Sequence, residues 1–68
     1  MDGDKMKRAI LIEHHDGDKL TMIVCSDDSG GHIFDALWDP TEANTPENRK
    51  KFRGWVSTML KRKGYTDE

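Results

Sequence analysis

Arg8-Ala9-Ile10-Leu11-Ile12-Glu13-His14-His15-Asp16-Gly17-Asp18-Lys19-Leu20-Thr21-Met22-Ile23-Val24-Cys25 is the stretch on which the fold turns. Two runs rich in β-branched and apolar residues flank an Asp-Gly pair. Such runs suit the pleated, half-buried surface of a strand. Asp-Gly supplies the positive φ that a tight hairpin turn needs. With Asp16 and Gly17 as the two loop residues, Ile12 faces Thr21, Leu11 faces Met22 and Ile10 faces Ile23. Side chains alternate across a strand. One face then carries Ala9, Leu11, Leu20, Met22 and Val24, and the other Ile10, Ile12, Ile23 and Cys25. Both faces are apolar, whereas an antiparallel sheet with one wet face alternates apolar and polar.

Downstream, Asp27-Asp28-Ser29-Gly30-Gly31 reads as a second turn. The following segment, His32 to Trp38, fits two forms. As a third strand it puts His32, Phe34, Ala36 and Trp38 on one face; as a short helix it groups Ile33, Phe34 and Leu37. A glycine turn after a hairpin commonly continues a meander, which favours the strand. Asp39-Pro40-Thr41-Glu42 has capping-box chemistry and predicts a single helical turn ending by Asn44. Thr45-Pro46-Glu47 repeats the start signal. Phe52, Trp55, Val56, Met59 and Leu60 then follow the spacing of one buried helical face. Lys61-Arg62-Lys63 suits the negative helix end, Gly64 suits the left-handed position after it, and Tyr65 is placed to fold back on Leu60.

The expected fold is α+β, in the order β-β-(β)-α: a small antiparallel sheet with a C-terminal amphipathic helix across one face. The 68 residues allow one domain, with residues 1–6 as a frayed leader and 65–68 as a tail. Hydrophobic residues make up only 34% of the chain, a thin supply for a core. Cys25 is the only cysteine, so no intrachain disulfide can form, and a reducing, cytoplasmic setting is expected. No apolar run approaches the length needed to span a bilayer, and the first residues lack the apolar core of a signal peptide. Self-association is then the remaining common route to stability, and a homodimer or another protein partner is expected.

A formal net charge of −2 hides a segregation. Residues 1–47 sum to −7 and residues 48–64 to +7. Eleven carboxylates in the acidic part could imitate DNA phosphates. The basic helix puts Lys50, Arg53, Gly54, Ser57 and Lys61 on its outward face, with Arg62 beside them, a surface for nucleic acid or an acidic partner. A pI near 5.9 and the assignment of Phe52 and Trp55 to the buried stripe weigh against nucleic acid.

Catalysis and metal binding lack their signatures. His14-His15-Asp16-Gly17-Asp18 is rich in ligand atoms, but a calcium loop starting at Asp16 would need glycine where Thr21 stands and glutamate where Asp27 stands. Adjacent histidines on a strand point to opposite faces. Cys25 lacks an orienting third group for nucleophilic chemistry with any of the three histidines, and Ser29-Gly30-Gly31 lacks the lysine of a phosphate loop. No cofactor, metal or small-molecule substrate is expected. The element order resembles that of integrase arm-binding domains, but those read DNA with basic sheet residues and these strands are apolar. Size and skewed charge resemble those of orphan proteins of phages and mobile elements. The leading expectation is a non-catalytic binding or regulatory protein that docks on another protein, as an inhibitor or adaptor would, through Ile10, Ile12, Ile23, Phe34 and Trp38. The alternative is a nucleic-acid-binding regulator using Lys50, Arg53, Ser57, Lys61 and Arg62.

Overall fold

The two apolar runs do form a hairpin. The computed structural model describes residues 7–66; the predicted leader, 1–6, and tail residues 67–68 lie outside that range. Strand β1 (Lys7–Asp16) pairs antiparallel with β2 (Lys19–Asp27), and β2 pairs antiparallel with β3 (His32–Leu37). The segment after the glycines is therefore a strand. Helix α1 (Pro46–Arg62) follows, and a two-residue strand β4 (Tyr65–Thr66) returns beside β1 in parallel. The sheet order is β3-β2-β1-β4, so the sheet is mixed rather than purely antiparallel. The predicted tail contributes that extra strand at 65–66.

The hairpin register differs from the expected one. Asp16 pairs with Lys19, so the loop residues are Gly17 and Asp18, not Asp16 and Gly17. Gly17 has φ +64° and Asp18 stays at negative φ, the pattern of a turn with glycine at its first central position. A bulge follows. His15 pairs with Leu20 and His14 with Met22, which leaves Thr21 as the extra residue. Beyond it Glu13 faces Ile23, Ile12 faces Val24 and Leu11 faces Cys25.

This bulge reassigns the faces. An odd separation normally puts two strand residues on opposite sides. The extra residue puts Leu20 and Ile23 on the same side, and both are fully buried. Met22 and Val24, expected beside Leu20, turn to the other face. The core under the helix is Ala9, Leu20, Ile23, Cys25, Ala36, Val56 and Leu60, joined at its margin by Leu11, Ile33, Phe34, Trp38, Phe52 and Tyr65. Two of its seven buried members are alanines, so the core is as thin as the composition suggested. The fold is also elongated: its radius of gyration is 12.8 Å, against about 11 Å for a compact chain of this length.

The helix begins as read. Thr45 is the N-cap, its Oγ1 accepting from the Asn48 amide at 3.1 Å, with Pro46 in the first turn. It ends at Lys63, where the backbone N–H reaches back to Leu60, and Gly64 follows at φ +91°. The predicted helical turn at Asp39–Asn44 is absent. Asp39 Oδ1 accepts from the Thr41 amide and hydroxyl and closes a β-turn instead. Asp39 is held below the usual carboxylate range, chiefly by that Thr41 amide.

Candidate functional site

Two surfaces stand out, one on the sheet and one on the helix. The sheet surface is the face that α1 leaves bare. Strand pairing fixes its layout. Ile10, Ser26 and His32 form one row; Ile12, Val24 and Asp35 the next; His14, Met22 and Leu37 the last. Ile10, Ile12, Val24, Met22 and Leu37 therefore make one diagonal apolar strip. Ile12 is 52% and Leu37 70% exposed, although both are large and apolar. His14 occupies one corner beside the strip. Ser26, His32 and Asp35 occupy the opposite corner, where His32 Nε2 lies 2.8 Å from Asp35 Oδ1.

Of the predicted docking residues, Ile10 and Ile12 are on this open face. Ile23 is not; the bulge carries it into the core. Phe34 and Trp38 pack at the margin of the covered face. Met22, Val24 and Leu37 were missed, the first two because nothing in the strand's composition marks a bulge.

The helix surface is rotated from the predicted one. Val56 and Leu60 point to the core, and Trp55 is 50% exposed rather than buried. The shift is roughly half a residue step, about 50°. Arg53, expected outward, turns to the sheet and clamps Glu13 from two nitrogens, Nε to Oε2 at 2.6 Å and Nη2 to Oε1 at 3.0 Å. Glu13 Oε1 also meets His15 Nε2 at 2.9 Å. The Arg53 guanidinium holds Glu13 down at about 2, and Glu13 in turn raises Arg53. Ser57 is half-buried, while Lys50, Lys61 and Arg62 are exposed. The outward stripe is instead Lys51, Trp55, Thr58 and Arg62, all exposed and all on one side at helical spacing.

Trp55 is held from behind. Its ring stacks on Phe52 at 6.1 Å and 25°, and Phe52 meets Trp38 edge-on at 5.1 Å. Trp38 Nε1 donates to the Glu42 carbonyl. Leu37, Trp38, Phe52, Trp55, Asn48 and Lys51 line a cleft of about 360 Å³, with Asp39 and Glu42 also in its wall.

Asp27 Oδ1 accepts from Ser29 N, Ser29 Oγ and Gly31 N and so closes the second turn. The Ser29 hydroxyl is the chief cause of its lowered pKa. Cys25 is fully buried, and burial pushes its thiol up, away from the thiolate that a nucleophile needs. Among the described residues no three His, Cys, Asp or Glu side chains converge as a metal site would require. Among the same residues no helix is long and apolar enough to cross a membrane. Compared with protein-family models, curated proteins and solved structures, the chain matches none of them.

Proposed function

We propose that this protein is a non-catalytic docking module that binds protein through its open sheet face, and that the occupant of that face is a second copy of the chain. The observation that carries the reading is the apolar strip Ile10–Ile12–Val24–Met22–Leu37 on a face that, among the described residues, no element covers. Large apolar side chains lying contiguously at a surface are the usual mark of an interaction site.

A second copy fits for three reasons. The core is thin and gains most from further burial. A twofold axis lying along the strip seats the strip on itself, as closed dimers require. The same axis lays the His14 corner of one copy over the Asp35 corner of the other, so the polar margins are complementary. Three strands about 4.8 Å apart and five residues at about 3.4 Å give a footprint of roughly 240 Å². Even doubled for side-chain relief, this stays below the ~800 Å² per partner of a standard interface. The association is therefore reversible and concentration-dependent, as suits a small regulator that exchanges partners.

Sedimentation equilibrium across a wide concentration range tests this. The weight-average mass rises above the monomer's 7.8 kDa with concentration in the native chain. It stays at the monomer value in Ile12→Lys. A native chain that remains monomeric at the highest concentration reached sinks the proposal.

A further inference from the structure

The rotation of α1 brings an aromatic ring and several cations onto one exposed stripe, away from the open sheet face. We propose that the stripe Lys51–Trp55–Thr58–Arg62, with the cleft beside Trp55, is a binding site for single-stranded nucleic acid. It stands independently of the sheet-face reading and shares with it only Leu37.

Three observations carry it. First, from Lys51 to Arg62 the stripe runs eleven residues, about 16 Å of helix, and from Asn48 to Lys63 the helix and its cap hold no acid. Lys50 and Lys61 flank it across Gly54, which adds no side chain. Arg53, the cation that Glu13 neutralises, points elsewhere. The basic charge of the chain is thus gathered here, although the whole protein is slightly acidic. Second, Trp55 presents a half-exposed ring whose orientation is fixed by stacking on Phe52, itself braced by Trp38. A rigid aromatic platform between cations is how proteins hold a single strand, bases stacking on the ring and phosphates pairing with the cations. Third, the cleft beside the platform is lined by Leu37, Asn48 and the acidic Asp39 and Glu42. A carboxylate can accept from a base's exocyclic amine. An acidic peptide, the other ligand a basic helix attracts, pairs with the cations but offers its charged side chains no base to stack on Trp55. Duplex DNA is disfavoured as well, because its bases are already stacked and leave Trp55 without a partner.

The test is anisotropy of a short labelled single-stranded oligonucleotide of mixed sequence, titrated with the full chain at several salt concentrations. Binding is expected, with the logarithm of affinity falling against that of salt at a slope of about −3 for four cations. Trp55→Ala lowers affinity roughly tenfold, since base stacking on one ring is commonly worth that much. Lys51→Glu with Arg62→Glu weakens binding further and flattens the salt dependence. Circular dichroism of each variant confirms the fold. The charge variant alters only exposed side chains, so it keeps the test open should Trp55→Ala unfold. Absence of binding to the native chain overturns the proposal. So does folded Trp55→Ala binding as well as the native chain. Equal or tighter binding of a labelled polyglutamate or of anionic lipid vesicles also overturns it, and assigns the stripe to an acidic peptide or a membrane surface. Ile12→Lys, which breaks the sheet-face dimer, leaves oligonucleotide affinity within a few-fold, so failure of one proposal is distinguishable from failure of the other.

Discussion

Asn44 reaches back 24 residues and bonds both backbone groups of Leu20. Its Nδ2 donates to the Leu20 carbonyl at 2.8 Å, and its Oδ1 accepts from the Leu20 N–H at 3.1 Å. A side-chain amide here does what the next strand would do. Strand β3 ends at Leu37, and the Trp38 N–H makes the last backbone contact, to the Thr21 carbonyl. The bulge at Thr21 follows, and Asn44 then closes the pairing at Leu20. Arg49 Nη1 donates to both the Asn44 carbonyl and its Oδ1, which fixes the amide orientation.

Asn44→Ala leaves the Leu20 N–H and carbonyl without these partners while Leu20 stays buried. Unpaired buried polar groups cost about 1–3 kcal/mol each, and solvent relief at this edge brings the total to the lower part of that range. Urea unfolding of the variant should show a lower midpoint with unchanged slope. Stability equal to that of the native chain would refute the role given to Asn44.

The Glu13–Arg53 clamp gives a defined pH dependence. Glu13 is lowered from its ordinary 4.5 to about 2, chiefly by the Arg53 hydrogen bonds. A carboxylate depressed by folding stabilises fully above its unfolded pKa, and the gain is lost as pH falls through the folded one. The window is therefore from about 4.5 down to about 2. Partial exposure screens the pair, so the amplitude is about 1 kcal/mol or less. Asp27 and Asp39 are lowered too and act with the same sign. The difference between native and Glu13→Gln unfolding free energies isolates the clamp. It should shrink across that window, and a difference independent of pH would contradict the clamp.

Corner pairing in the proposed dimer is open to reversal by charge. His14→Asp sets a carboxylate against Asp35 of the second copy and weakens association about two- to fivefold, as for an exposed charge pair. Adding Asp35→Lys restores it. Sedimentation of both variants checks the geometry, and an unchanged constant in each would rule out an axis along the strip. The monomer's own stability should move by no more than about 0.5 kcal/mol, because both positions are exposed.

Gly64 sits at φ +91° between the helix and β4, and its carbonyl accepts from the Lys7 N–H at 3.0 Å. A side chain at that φ is strained even though nothing crowds the site. Gly64→Ala should cost about 1–2 kcal/mol and loosen β4 first. Hydrogen exchange at the Lys7 amide should accelerate more than exchange at Ile23. Equal acceleration at both would show that the strain is not local.

The sequence by itself determined the elements that depend on neighbours in the chain. Thr45 before Pro46 started the helix, Gly64 ended it, and β-branched runs around Asp16-Gly17 made the hairpin. It also determined that too much apolar surface exists for one helix to cover. The choice of covered face belonged to the tertiary structure. Both parity sets of β2 are apolar, so alternation could not choose between Ile23 and Met22; the Thr21 bulge chose. The helix rotation was equally hidden. Trp55 fits the apolar stripe by spacing and Arg53 the outward face, yet in the fold Val56 and Leu60 fill the core, Trp55 is left half-exposed, and Arg53 meets Glu13, 40 residues away. Local rules act through backbone geometry over a few residues. A bulge or a rotation is set by contacts between distant ones, which is why each surface proposed to bind took its final membership from the folded chain.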